Sequence, residues 1–152
     1  RTVLIPVERS VSSTATLHWA RRNVLRPTDK VILINVRPYQ QVYFADLGAE
    51  LLISLNDLEK AVRQESHDLV RMYAKYLQSD DQADEHLAVP AQVQGFALRG
   101  DPRTDICRKA QEVGADLIVM GSHGKGVFER MTLGSVSEYV SQHANVPVVI
   151  VR

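Results

Sequence analysis

Short apolar runs alternate with helical spacing from one end of the chain to the other. Val3-Leu4-Ile5-Pro6-Val7 is the first run. Ser12 or Ser13 then stands where a helix cap belongs, and Leu17, Ala20 and Val24 recur at three-and-four spacing until Pro27 stops them. Val31-Ile32-Leu33-Ile34-Asn35-Val36 is the second run, ended by Pro38. Leu55, Leu58, Val62, Leu69, Tyr73 and Leu77 give a long helical pattern, followed by an acidic, unpatterned stretch, Asp80 to Glu85, that reads as a surface loop. Val89 to Leu98 is strand-like but interrupted by Pro90 and Gly95. Asp101 and Pro102 are a cap and a first helical residue for Ile106, Ala110 and Val113, and Gly114 closes that helix. A third strongly apolar run, Leu117 to Met120, stops at Gly121. After Gly134, the residues Val136, Tyr139, Val140 and His143 fall near one helical face, and Val146 to Val151 ends the chain as a strand.

Runs that are apolar throughout fit strands covered on both sides, as in a parallel sheet. Strand and helix in this rhythm predict an α/β fold: a five-stranded, mostly parallel sheet with right-handed crossovers and helices on both faces, in one domain over residues 1–152. Proline is poorly tolerated inside a buried strand. Pro6 is therefore expected near the carboxyl end of its strand, at the mouth of a ligand site. The last strand is expected at a sheet edge.

Composition narrows the function only modestly. With 152 residues, 45% hydrophobic and 24% charged, the chain has the make-up of an ordinary globular domain. Lys plus Arg and Asp plus Glu balance at 18 each, which gives no reason to expect nucleic acid as a partner. Cys107 is the only cysteine, so an internal disulfide is excluded and a reducing, cytoplasmic compartment is expected. No apolar stretch approaches ~20 residues, so no membrane partner is expected either. The chain begins at Arg1 rather than Met, which leaves a removed targeting segment open.

The chemistry concentrates between Asp116 and Ser137. There Gly121, Gly124 and Gly134-Ser135 lie between the carboxyl end of a buried strand and the amino end of a helix. Open α/β sheets bind ligands at that place, and free N–H groups with a helix dipole favour an anion. Such glycines also occur as plain turns. Gly124-Lys125 is followed by Gly126 and preceded five residues back by Val119, so the P-loop pattern is absent; Glu129 likewise breaks the dinucleotide fingerprint. No Cys or His cluster has metal-ligand spacing. His123, inside the glycine loop, is placed to donate to a phosphate or to sit in solvent. Ser135 and Ser137 can cap the helix, hold phosphate, or do both. His18, His67, His86 and His143 read as surface or helix-face residues, and Cys107 as packed and inert.

The spacing Gly-two residues-Gly-nine residues-Gly-Ser resembles the nucleotide-binding signature of the universal stress protein family, ATP-binding subgroup, with a match at Gly121, Gly124, Gly134, Ser135 and Ser137. Val3 to Val7, Val31 to Val36, Gly100-Asp101-Pro102 and the closing Ala144 to Val151 resemble other parts of that family; the insert from Tyr39 to Val89 is the least diagnostic. The resemblance implies a Rossmann-like, adenine nucleotide alpha hydrolase-like fold that binds ATP with Mg²⁺. It would set Pro6, Val7, Glu8 and Val36 around adenine, Met120 and Gly121 beside the ribose, and Ser122, His123, Gly124, Gly134, Ser135, Val136 and Ser137 at the phosphates. It further implies a homodimer paired through the last strand, and a stress-response or signalling module.

No nucleophile or water-positioning base is evident, so no catalytic residue is assigned and ATP hydrolysis is expected to be slow at most. Glu8-Arg9 stands where the family usually has Asp then Gly, keeping the carboxylate on a longer arm. An adenylate-forming or phosphate-transfer enzyme is the main alternative. It would need a glycine-bearing first loop that Glu8-Arg9-Ser10-Val11-Ser12-Ser13 lacks. The other alternative is an interaction module that keeps the motif without a ligand.

Overall fold

The computed structural model describes residues 1–39, 49–79, 87–123 and 133–152, the side chains of 49–54 excepted. Its elements run β1 (Thr2–Pro6), α1 (Val11–Asn23), β2 (Lys30–Arg37), α2 (Ala49–Gln78), β3 (Gln92–Arg99), α3 (Pro102–Glu112), β4 (Leu117–Gly121), α4 (Ser135–His143) and β5 (Val148–Val151). The strands form one sheet in the order β3-β2-β1-β4-β5, and every pairing is parallel.

Right-handed crossovers explain where the helices lie. The chain steps outward from β1 to β2 to β3, which puts α1 and α2 on one face. It then returns across the sheet to β4 and steps on to β5, which puts α3 and α4 on the other. The core divides accordingly. Val3, Ile5, Val31, Leu33 and Val119 pack with Leu17, Leu69, Tyr73 and Leu77 on one side, while Leu4, Ile32, Ile34, Ile118 and Met120 pack with Ile106, Ala110 and Val140 on the other. Val3, Leu4, Ile5, Val31, Ile32, Leu33 and Ile34 are fully buried, each burial stabilising by roughly 1.5–3 kcal/mol.

Several helix ends follow the sequence closely. Asp101 caps α3 by accepting from the Arg103 N–H at 3.0 Å. At the other end Gly114 takes φ 60°, the left-handed conformation glycine tolerates, and the Gly114 and Ala115 N–H groups close on Gln111 and Ala110. The cap of α1 differs from the sequence expectation. Ser10, not Ser12 or Ser13, accepts from the Ser13 N–H at 3.1 Å, while Ser13 Oγ accepts from the Glu8 N–H at 3.0 Å. A run of hydroxyls offers several caps, and the exit angle from β1 selects among them.

The long helical pattern also resolves into two parts. Leu69, Tyr73 and Leu77 are buried, but Leu58 is half exposed. A 30-residue helix is about 45 Å long whereas an eight-residue strand spans roughly 26 Å, so α2 overhangs the sheet. Gly95 lies within β3 where α2 crosses it, and a side chain there would run into Val70. A buried arginine fixes the far end of α2: Arg21 donates to the carbonyls of Tyr76, Ser79 and Ala88 and stacks over the Tyr76 ring. The acidic stretch 80–86, with His86, lies outside the described residues. Among the described residues no helix is long and apolar enough to cross a membrane.

Candidate functional site

Strand β1 is the point where the sheet changes direction. Its pairing with β2 runs as far as Pro6, but its pairing with β4 covers only Val3 and Leu4. Beyond Leu4 the two strands part and leave a crevice at their carboxyl ends, where open α/β sheets take ligands. Pro6 is the last residue of β1, where a missing N–H costs the ladder least.

The crevice is the lower part of a cleft of about 340 Å³. Of the residues singled out by sequence, Pro6, Val7, Glu8, Val36, Met120, Gly121, His123, Gly134, Ser135, Val136 and Ser137 line it. Ser122 lies just behind, buried. Gly124 falls outside the described residues. Sequence reasoning passed over Ser12, Ser13, Ile34, Asn35, Pro38, Pro102 and Ile106, which complete the wall. Asn35 was the legible one, a lone amide inside a buried apolar run.

That amide organises the β1 exit. Asn35 Nδ2 donates to the Val7 carbonyl at 2.7 Å, and its Oδ1 accepts from Ser66 Oγ of α2 at 2.6 Å. Tyr73, also on α2, donates through its hydroxyl to the Glu8 carbonyl at 3.3 Å, and Arg9 pairs with Glu65 at 3.0 Å. Arg9 therefore helps tie the first loop to α2. The ion pair is more than half exposed and adds little energy by itself.

The opposite wall is the start of α4. Gly134 is its N-cap and supplies no side-chain bond, so the N–H groups of Ser135, Val136 and Ser137 have no acceptor among the described residues. They carry the positive end of the helix dipole into the cleft. Ser137 does not cap the helix: its buried hydroxyl donates to the carbonyls of Ser122 and Gly134, at 2.7 and 2.9 Å. The two glycines owe their place to close approach. A Cβ on Gly121 would come within 2.8 Å of Ser12 Oγ, and one on Gly134 within 3.2 Å of the Ser122 carbonyl.

Two buried side-chain atoms in this cleft lack a hydrogen-bond partner among the described residues: Glu8 Oε1 and His123 Nε2. The other ring nitrogen of His123 is 3.0 Å from Ser122 Oγ. Desolvated polar atoms without partners are costly, and both belong to residues that line this cleft. No group of three or more His, Cys, Asp or Glu side chains suited to a metal occurs among the described residues. Cys107 is half-buried and burial pushes its thiol pKa up, while His18, His67 and His143 are exposed.

Known proteins resemble this chain in sequence and in fold. The chain is 27% identical to the universal stress protein MJ0577 of Methanocaldococcus jannaschii, covering 99% of this chain and 93% of that protein. The solved structure of MJ0577 superposes with a TM-score of 0.75 at 25% identity, over 99% of this chain and 94% of that one. The universal stress protein PHOS32 of Arabidopsis thaliana is 29% identical over the whole of this chain, which spans 64% of the length of that relative. A universal stress family protein of Arabidopsis thaliana solved with AMP bound shares the fold, with a TM-score of 0.63 at 19% identity, over 99% of this chain and 90% of that one. The family model described as "Universal stress protein family" matches residues 1–152. The chain belongs to the universal stress protein family.

Proposed function

We propose that this single domain is a cytoplasmic nucleotide-binding module that takes ATP, with Mg²⁺, into the cleft between β1 and β4 and signals in a stress response. The observation that carries the reading is the pair of partnerless atoms, Glu8 Oε1 and His123 Nε2, in the same cleft as the uncapped start of α4. A carboxylate asks for a donor such as an amine or a hydroxyl. A helix start asks for an anion. A nucleotide carries both on one molecule, and relatives of this fold have been solved with AMP, dAMP and cAMP.

In this reading the base lies against Pro6, Val7, Glu8 and Val36, the ribose against Met120 and Gly121, and the phosphates at His123 and residues 134–137. Ser122, and Ser137 through its bond to Ser122, hold the phosphate wall in place; Gly124 is assigned to the phosphates by its motif alone. Mg²⁺ would be held by phosphates and water, which suits a cation that seldom needs an all-protein cage, and would supply charge neutralisation at the phosphates. The chain's own part is to orient the nucleotide and to offer N–H donors. A homodimer forms through β5, whose outer edge has no neighbouring strand among the described residues.

Calorimetric titration with ATP, ADP and AMP, with and without Mg²⁺, tests the reading. Saturable binding of ATP at one site per chain is expected. No heat with any of the three, from folded protein, defeats it.

A further inference from the structure

A second depression, of about 480 Å³, lies at the carboxyl ends of β2 and β3 on the α2 face of the sheet. Arg37 and Arg99 are register partners on these neighbouring strands, so two guanidinium side chains start side by side. Both reach Oε1 of Glu59 on α2, at 2.8 and 3.4 Å. Arg63, one turn along α2, lines the same depression with Lys60, and has no ion pair among the described residues. Lys60 reaches Asp57 only at 3.5 Å, with both side chains largely exposed.

Four cations thus line the depression with one carboxylate, Glu59, in a chain whose formal net charge is zero. Like charges on adjacent strands repel unless an anion sits between them. Glu59 fills that place in part. The hydrogen bond from Arg37 and the charges of Arg37, Arg99 and Arg63 hold its carboxyl below the usual range, against the opposing effect of burial. Among the described residues the ion pairs of Arg37 and Arg99 both go to that one carboxylate oxygen, while Arg99 also lies over the Tyr39 ring and each guanidinium carries five N–H groups. A tetrahedral phosphate offers acceptors in several directions and matches guanidinium forks in pairs.

We infer that this depression is a second anion site, taking a phosphate-bearing ligand of two or more negative charges, with Glu59 as its internal competitor. It is separate from the nucleotide cleft. Val36 and Pro38 line that cleft, and Arg37 between them lines this one.

The test is a titration of the isotope-labelled protein with inorganic pyrophosphate, followed by the arginine Nε–H and backbone amide resonances. Shifts at Arg37, Arg63 and Arg99 are expected, separate from any at Ser135, Val136 and Ser137, which report the nucleotide cleft. Arg63→Gln and Arg99→Gln should each weaken pyrophosphate about tenfold, the scale of one bond to a charged group. Glu59→Gln should tighten it several-fold, an opposite sign that misfolding cannot imitate. A phosphoserine peptide in place of pyrophosphate tells a protein-borne phosphate from a free one. Shifts confined to the start of α4, unchanged affinity in both arginine variants, weaker binding by Glu59→Gln, or equal binding of succinate would each overturn the site.

Discussion

The hydroxyl of Ser137 donates to the backbone carbonyl of Ser122 at 2.7 Å, and the same carbonyl accepts from the Gly134 N–H at 2.8 Å. One oxygen at the end of β4 therefore holds the start of α4 by two bonds. Ser135, one position into α4, is exposed and carries no such bond. The two serines should separate in experiment. Ser137→Ala is expected to lower folding stability by about 1–3 kcal/mol, the cost of a lost buried bond. Ser135→Ala should leave stability within ~0.5 kcal/mol of the parent and cost about 1–3 kcal/mol in ATP binding. Denaturant unfolding and calorimetry on both variants check the pair, and equal stability losses would contradict it.

Gly134 has φ −64° and ψ 152°, angles open to any residue, so backbone freedom is not what selects glycine there. The space is. With the Ser122 carbonyl 3.2 Å and His123 Cα 3.4 Å from a Cβ, Gly134→Val must push α4 away from β4. ATP binding should fall below detection while the sheet persists by circular dichroism. A folded variant with parental affinity would remove Gly134 from the site.

Asp29 is fully buried between β2 and the segment before it. Burial pushes its carboxyl pKa up, but the Arg1 guanidinium at 2.7 Å and the Arg26 N–H at 2.9 Å outweigh that and hold it below the ordinary value. A depressed folded pKa gives stability that is present above the unfolded value of about 4 and lost as pH falls through the folded one. Thermal midpoints should therefore drop below pH ~4 more steeply for the parent than for Asp29→Asn. Parallel acid profiles would show that Asp29 does not contribute.

The carbonyl of Pro147, just before β5, accepts from the Ile118 N–H of β4, and that of Val151, the last residue of β5, accepts from the Ser122 N–H just after β4. Alternation along a strand then turns the groups of Val148 and Ile150 outward. Pro147 lacks its donor on the inner side, so it does not blunt the free edge. Ile150→Pro should remove one outward N–H, spare the β4 ladder and make the dimer dissociate at micromolar concentration by light scattering. The described part of the insert, α2, packs on β2 and β3 at the far side of the sheet, so it leaves the β5 edge uncovered. A monomeric parent would defeat the dimer.

Turnover of ATP with saturating Mg²⁺ should lie far below the ~10 s⁻¹ of a typical enzyme. Among the described residues lining the cleft, only Glu8 and His123 carry a carboxylate or imidazole able to act as a general base. Glu8→Gln and His123→Gln should then change affinity more than rate. Rapid hydrolysis abolished by either substitution would point to general-base catalysis instead.

The sequence by itself settled the elements that local physics controls. Apolar runs of only four to six residues bounded by Gly, Pro or Asn are too short for a buried helix and fit strands covered on both faces, and Asp101-Pro102 and Gly114 begin and end α3 through bonds within a few residues. The parallel sheet, the edge position of the last strand and the placing of Gly121, Gly134 and Ser135 between the end of β4 and the start of α4 followed from this. Other features needed the tertiary structure because they join residues distant in sequence. Asn35 reads as a polar residue in a strand until Ser66 and Val7 meet it from elsewhere in the chain. Leu58 belongs to the same helical stripe as Leu69, yet α2 outruns the sheet and leaves it half exposed. Ser137 reads as a cap and acts as a brace, because β4 delivers the Ser122 carbonyl to it. A single sequence records which faces are apolar; which backbone groups a polar side chain meets is decided only when the crossovers bring them together.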